Sequence, residues 1–154
     1  MWPWLVVSGV IVLLDQASKV WAEATLALHE AVAVVPLLNF RLTYNPGAAF
    51  SFLGDAGGWH RWLFVALSTA ISLYIVWWLR SVANEKLQPL ALSLILGGAI
   101  GNLVDRVRIG AVVDFIDVYY GQSHFPTFNI ADSGVTVGAG LLIVGLLRGS
   151  RSDT

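Results

Sequence analysis

The sequence predicts an all-α integral membrane protein with four transmembrane helices. Hydrophobic residues make up 56% of the 154 residues and charged residues only 12%, which is more apolar surface than a soluble domain of this size can bury. The clearest span runs from Trp62 to Leu79 and contains no charged residue. At about 1.5 Å per residue it covers roughly 27 Å of hydrocarbon, enough to cross a bilayer.

Three further apolar segments flank this span, and each becomes polar toward one end. We interpret them as additional transmembrane helices, at about residues 2–21, 89–104 and 130–147. The first has neither the basic n-region nor the small-x-small cleavage site of a signal peptide, so we expect it to be retained as a helix. The whole chain, residues 1–154, is then expected to form a single membrane-embedded domain.

Four spans place both ends of the chain on the same side of the membrane. Basic residues gather on that side, in the second loop and the tail: Arg80, Lys86, Arg148 and Arg151. The positive-inside rule makes this side cytoplasmic. Two longer segments, at about 22–61 and 105–129, then lie on the outer side.

The first outer segment has the pattern of strands followed by a turn. Val32–Tyr44 is rich in strand formers, and Pro36 within it indicates an edge strand or a bulge. Asn45-Pro46-Gly47 predicts a turn. Ala48–Leu53 is short and amphipathic, which favours a helix lying on the membrane surface. We therefore predict a small sheet and a short amphipathic helix outside the membrane.

Composition and motifs exclude several classes of function. The net charge is −1, and the 9 basic residues form no cluster suited to nucleic acid. The chain has no Cys, which excludes disulfides, thiolate metal sites and a cysteine nucleophile. His29, His60 and His124 have no helical i, i+4 partner, and the zincin, serine-hydrolase and Walker motifs are absent. We expect neither a metal nor a cofactor.

A carboxylate stands at the start of the fourth apolar segment. Asp132 lies close to the hydrocarbon, where an unpaired charge is unfavourable and a functional role is the default interpretation. The alternative is helix capping, because the run from Asn129 to Ser133 is good capping chemistry and a carboxylate suits the positive end of a helix.

Other polar residues fall near the same outer face at helical spacing. Asp15 and Lys19 are four apart and can neutralise each other, which alone favours a structural pair. Asn102, Asp105 and Arg106 also share one helix face, and their alternative role is an interhelical polar clamp. Polar groups from three helices thus converge at one membrane depth.

A pair of carboxylates is the sharpest chemical hypothesis that the residues support. Asp114 and Asp117 interrupt an apolar stretch, where burial raises the pKa of an acid. Two neighbouring carboxylates share one proton and can then act as acid and base in one site. Asp132 could pair with Asp105, Asp114 or Asp117, and the residues alone leave that choice open.

Two other functions compete with an enzyme. A small transporter or proton-relay subunit would also contain intramembrane charges, but here they cluster at one face instead of stepping across the bilayer. A scaffold could use the G-x-x-x-G pairs Gly97/Gly101 and Gly134/Gly138, which let helices approach closely. The Gly-x-Gly-Asp motif of one class of intramembrane aspartic proteases is absent.

Five short motifs in register resemble the lipoprotein signal peptidase family, signal peptidase II, over essentially the whole chain. They begin with Asp15-Gln-Ala-Ser-Lys19 and Tyr44-Asn-Pro-Gly-Ala-Ala-Phe50, and continue with residues 97–106, 113–115 and 128–133. Each motif is weak alone, but five in order on a chain of about the family's length form a specific signal.

The resemblance implies that Asp114 and Asp132 are the catalytic dyad, with Asp117 as a neighbour. It also implies a group of residues that shape, brace or hydrogen-bond the substrate site: Asp15, Lys19, Asn45, Gly47, Asn102, Asp105, Arg106, Asn129 and Ala131. The first outer segment would form a periplasmic β-sheet cradle for the substrate, and the region 45–53 would form a lid.

By the same resemblance, the protein is an aspartic endopeptidase of the bacterial inner membrane. Its substrate would be a prolipoprotein whose lipobox Cys carries diacylglycerol, cut just before that Cys. Membrane lipids are the other expected partners, and we expect a monomer. Both termini would be cytoplasmic, and the active site would lie near the periplasmic face.

Overall fold

The computed structural model describes residues 1–47, 58–84 and 86–149. Helices dominate this part of the chain: α1 Trp2–Thr25, α2 Trp59–Val82, α3 Leu87–Ile109 and α4 Ile130–Gly149. By length and composition, α1, α2 and α3 can each cross a membrane, whereas the apolar stretch of α4, Ile130–Gly145, is shorter. The prediction of a mostly helical, multi-pass membrane protein is confirmed.

The predicted apolar segments lie inside these four helices, which extend beyond them. Hydropathy marks only the part of a helix that suits hydrocarbon, while the backbone hydrogen bonds continue into polar residues. For that reason α3 continues through Asp105 and Arg106, and α1 continues past Lys19 as far as Thr25.

The polar ends of α1 and α3 support a four-stranded antiparallel sheet. The strands are β1 Ala31–Val35, β2 Leu38–Asn45, β3 Val112–Tyr120 and β4 Ser123–His124, in the order β1-β2-β3-β4. The sequence predicted only the first two as strand-forming. β3 is equally rich in β-branched and aromatic residues, but its two acids are untypical of a strand and favoured an interpretation as site residues.

The turn between β1 and β2 corrects the prediction made for Pro36. Pro36 lies in neither an edge strand nor a bulge, because β1 and β2 pair at Val35 and Leu38 and leave Pro36 and Leu37 as the turn. Leu37 adopts a φ of 73° there. The predicted amphipathic helix at Ala48–Leu53 lies outside the described residues.

Helix α3 forms the centre of the bundle, and small residues let its neighbours approach closely. A Cβ on Gly97 would lie 2.7 Å from the Ile11 side chain of α1, and one on Gly98 would overlap the Ala131 carbonyl oxygen of α4. On the facing side, a Cβ on Gly138 would lie 2.6 Å from the Ala91 carbonyl oxygen. The expected close approach therefore joins α3 to both α1 and α4.

A hydrophobic cluster attaches the sheet to the bundle. Ala22 of α1 packs with Leu42 of β2 and with Val113 and Phe115 of β3, and all four are buried. This contact, together with that between α3 and β3, places the middle of the sheet against the C-terminal ends of α1 and α3. Val113 and Phe115 lie on one face of β3, so Asp114 between them points to the other face.

The contact between α3 and α4 predicts a selective effect of adding one methyl group. We expect Gly98→Ala to lower the free energy of unfolding by about 1–3 kcal/mol, because the new Cβ overlaps the Ala131 carbonyl and the helices must separate. Gly140→Ala on α4 is the matched control, since its Cβ would meet nothing within 4 Å. Thermal unfolding in detergent checks this, and equal stability of the two variants would contradict it.

Candidate active site

A buried ionic cluster joins α1 to α3. The Nζ of Lys19 lies 2.8 Å from Asp15 Oδ2 and 2.7 Å from Asp105 Oδ2, and all three side chains are at most 1% exposed. Gln16 Nε2 donates to both carboxylates, at 3.1 Å to Asp15 Oδ2 and 3.1 Å to Asp105 Oδ1. Two carboxylates thus share one ammonium and one amide, which satisfies buried charges that would otherwise be strongly unfavourable.

The two carboxylates also hold the beginnings of two other elements. Asp15 Oδ1 accepts the backbone N–H of Ala131 in α4 at 2.9 Å, and Asp105 Oδ2 accepts that of Val113 in β3 at 3.1 Å. Gly101 leaves the space for this arrangement, because a Cβ there would lie 2.5 Å from Asp15 Oδ2. The ionic cluster therefore fixes α4 and β3 relative to α1 and α3.

Asn102 connects the ionic cluster to Asp132. Its Oδ1 accepts hydrogen bonds from Lys19 Nζ at 3.0 Å and from Asn129 Nδ2 at 3.1 Å. With its oxygen directed to these donors, its Nδ2 donates to Asp132 Oδ1 at 2.8 Å. Lys19 thereby fixes the orientation of the Asn102 amide, so that its nitrogen faces Asp132.

Asn129 connects Asp132 to Asp114. Its Nδ2 donates to Asp114 Oδ1 at 2.7 Å, and its Oδ1 accepts the Asp132 backbone N–H at 2.8 Å. Asn129 is therefore the residue that caps α4, whereas Asp132 lies in the first turn with its side chain directed to Asn102. The capping interpretation applies to Asn129 instead of to Asp132.

Asp114 is held on its other side by β2. Asn45 Nδ2 donates to Asp114 Oδ2 at 3.2 Å, from a diagonal position across the β2–β3 pair. Asn45 Oδ1 accepts the Gly47 N–H at 2.9 Å, and Gly47 has a φ of 104° and packs against Phe64. The predicted turn thus fixes the amide that contacts Asp114.

The surroundings of Asp114 favour a neutral carboxyl near neutral pH. Burial, together with the neighbouring charge of Asp132, raises the pKa of Asp114 from 3.8 to about 7, while hydrogen bonds from Asn45 and Asn129 and the charge of Lys19 lower it. Two nearby carboxylates that share one proton are the arrangement that acid and base chemistry requires.

The other two partners considered for Asp132 are engaged elsewhere. Asp105 is bound by Lys19, and Asp117 accepts from Asn39 at 3.3 Å and pairs with His124 at 2.8 Å. Burial acts to raise the pKa of Asp117, but the hydrogen bonds with His124 and Asn39 hold it below its usual value. Since residues 114 and 117 alternate across β3, they point to opposite faces of the sheet.

Arg106 completes the set of predicted site residues. Its Nη1 lies 3.5 Å from the Asn102 carbonyl oxygen, and its guanidinium carbon lies 5.1 Å from the centre of the Phe64 ring. The guanidinium is thus held between the backbone of Asn102 and the Phe64 ring. The structure brings every sequence-predicted site residue into one connected group around Asp114 and Asp132.

Comparison with known proteins identifies the family. The family model of signal peptidase (SPase) II matches residues 7–148. The chain belongs to the signal peptidase II family. The resemblance drawn from the five motifs is therefore confirmed, and the protein is a membrane-bound peptidase by family.

The chain matches its signal peptidase II relatives over nearly their full length. A lipoprotein signal peptidase of Polynucleobacter necessarius subsp. necessarius is 51% identical over 147 residues, covering 96% of this chain and 90% of that protein. One of Shewanella amazonensis is 48% identical over 153 residues, covering 99% and 90%. A solved bacterial membrane enzyme has a TM-score of 0.85 at 34% identity, covering 96% of this chain and 94% of its own.

Sequence reasoning missed two contributors to this signal peptidase II site. Gln16 bridges Asp15 and Asp105 and also donates to the Gly101 carbonyl at 3.1 Å. Its position between Asp15 and Lys19 in an apolar helix could have indicated this role. Thr43, whose hydroxyl lies 2.7 Å from that of Thr127, gave no signal, because the contact joins residues that are distant in sequence.

The ionic cluster predicts a large loss of stability when its cation is removed. We expect Lys19→Met to lower the free energy of unfolding by about 3–5 kcal/mol, because two buried carboxylates would lose their shared counter-ion. Arg108→Met is the control: Arg108 pairs with Glu23 at 2.7 Å but is 41% exposed, and such pairs contribute at most about 1 kcal/mol. Thermal unfolding in detergent distinguishes the two, and equal losses would contradict the ranking.

Proposed function

We propose that this protein is an aspartic endopeptidase that removes the signal peptide from prolipoproteins, with Asp114 and Asp132 as its catalytic dyad. The observation that carries the proposal is the Asn102–Asn129 amide pair, which holds both carboxylates in one group while the pKa of Asp114 is raised to about 7. Membership of the signal peptidase II family supports the same reaction.

The reaction divides between an acid and a base. Asp114, with the raised pKa, carries the shared proton and donates a hydrogen bond to the scissile carbonyl. Asp132 removes a proton from water, which attacks that carbonyl, and a proton then passes from the dyad to the leaving amine as the C–N bond breaks. The proposed reaction uses two carboxylates and water, without a metal ion, cofactor or covalent intermediate.

The proposed substrate carries diacylglycerol on its lipobox Cys and is cut just before that Cys. The relatives at 51% and 48% identity are named lipoprotein signal peptidases. The acyl chains and the apolar signal helix would hold the scissile bond at a fixed depth in the membrane. The bond and the dyad then lie at the same depth, which lowers the entropic cost of bringing them together. Membrane lipid and the prolipoprotein are then the protein's partners.

In the proposed topology the chain is one domain of four transmembrane helices, with α4 as the fourth. Arg80 of α2 and Lys86 before α3 lie at the end of the bundle opposite the sheet, which favours a cytoplasmic position for that end and for both termini. The sheet would form the substrate cradle; most of the expected lid, residues 45–53, lies outside the described residues. The dyad then faces the periplasm from the inner membrane, in a monomer.

The dyad assignment predicts complete loss of cleavage in two variants and its retention in a third. Asp114→Asn and Asp132→Asn should each reduce kcat by roughly 10³-fold or more, because each removes one of the two groups that transfer protons in the reaction. Asp117→Asn changes the same residue type on the opposite face of β3 and should keep most of the activity. A gel-shift assay on diacylglyceryl-modified prolipoprotein measures this. Normal cleavage by both dyad variants would overturn the proposal.

The raised pKa of Asp114 predicts the alkaline side of the pH profile. A carboxyl with a pKa of about 7 loses its proton as pH rises through that value, so kcat/KM should fall there. Asn45→Ala removes a hydrogen bond that favours the ionised form of Asp114, which should raise the pKa of this carboxyl. The alkaline limb of the pH profile should then shift to higher pH by about one unit. A limb that stays in place or moves downward would contradict the assignment of Asp114 as the acid.

A further inference from the structure

A groove of about 450 Å³ lies directly beside the dyad. One wall is the segment that leads into α4, with Phe125 and Phe128, and the other is the first turns of α4, with Asp132 at one end and Val137 further along. Phe125 is 64% exposed and Val137 is 55% exposed, so the groove opens on the apolar outer face of α4. Its volume suits a single small ligand or chain.

Several backbone groups of the first wall already pair with β3. The N–H of Phe125 donates to the Val118 carbonyl at 2.8 Å, and that of Phe128 donates to the Ile116 carbonyl at 3.1 Å. The Phe128 carbonyl in turn accepts from β3, and Pro126 has no N–H to offer. An extended peptide is recognised mainly through backbone hydrogen bonds, and Phe125, Pro126 and Phe128 have no N–H left to donate to one.

Two of the three hydroxyl groups along the groove, those of Thr127 and Ser133, are likewise engaged inside the protein, and Thr136 supplies the third. Thr127 Oγ1 lies 2.7 Å from Thr43 Oγ1, and Ser133 Oγ donates to the Asn129 carbonyl at 2.9 Å. Apart from the Thr136 hydroxyl, what remains is a largely hydrocarbon surface that ends at the carboxylate of Asp132. Such a lining fits an unbranched hydrocarbon chain, which offers no hydrogen-bonding groups.

We propose that this groove binds one acyl chain of the substrate's diacylglycerol and thereby aligns the scissile bond with Asp132. The inference rests on the proposed function, in which the lipidated Cys directly follows the scissile bond. The glyceryl group then begins a few bonds from the reacting carbonyl. Because Asp132 belongs to both the dyad and the groove, a chain seated there places the bond beside the dyad.

The groove contributes orientation more than hydrophobic free energy. An acyl chain that leaves lipid or detergent for the groove exchanges one apolar environment for another. Its benefit is the fixed geometry of the reacting groups, which acts on kcat/KM. The rate of cleavage should therefore depend on the length of the acyl chain, and this dependence should require an open groove.

The test compares two substrates with the same signal sequence, one with dipalmitoyl and one with dibutyryl glyceryl on the Cys. The signal helix keeps both in the micelle. Wild type should cleave the dipalmitoyl substrate with a kcat/KM about tenfold higher. Val137→Trp, which fills the groove from an exposed position, should lower the dipalmitoyl rate to the dibutyryl level and abolish the preference.

Val144→Trp is the matched control. Val144 is the same residue type on the same helix, 40% exposed and outside the groove, so this variant should keep the chain-length preference. Thermal unfolding confirms that both variants are folded. A preference that survives in Val137→Trp, or that is absent in wild type, would overturn the groove assignment while leaving the peptidase intact.

Two further outcomes separate the remaining possibilities. Equal loss on both substrates in Val137→Trp would assign the groove to the signal peptide and overturn its role for the acyl chain. Failure of wild type to cleave either substrate would overturn the proposed function itself, and the acyl-chain inference with it.

Discussion

The ion pairs of Lys19 inside the bundle are the interaction on which the rest of the site depends. An uncompensated charge is unfavourable in this environment, and Lys19 compensates two carboxylates at once by lying between Asp15 and Asp105. Each carboxylate then accepts a backbone N–H from a different element, from Ala131 of α4 and from Val113 of β3. One buried ammonium therefore fixes α1, α3, α4 and the sheet relative to one another.

The amides beside this cluster turn its charge into a directed arrangement at the aspartates. The Asn102 oxygen accepts from Lys19 and Asn129, so its nitrogen must face Asp132. An inverted amide would place donors against the ammonium and leave Asp132 without one. The asymmetry continues at Asp114, whose burial raises its pKa and favours the protonated form that the proposed acid requires.

The helices and the Asp15–Lys19 pair could be predicted because hydropathy and i, i+4 spacing depend on residues close in sequence. The partner of Asp132 could not be chosen from the residues alone. Asp114 lies on β3, which is positioned by pairing with β2, so that its contact with Asn45 joins residues 69 apart. Only the family resemblance pointed to Asp114, because a family pattern carries such distant contacts implicitly.

The start of α4 combines a helix cap with the proposed functional carboxylate. Asn129 caps the helix through its oxygen and contacts Asp114 through its nitrogen, while the same cap fixes the first turn that carries Asp132. The proposed acid comes from the sheet and the proposed base from the helix. Since Asn129 binds the Asp114 carboxyl and the Asp132 backbone, the two residues are positioned relative to each other by a side chain that itself performs no proton transfer.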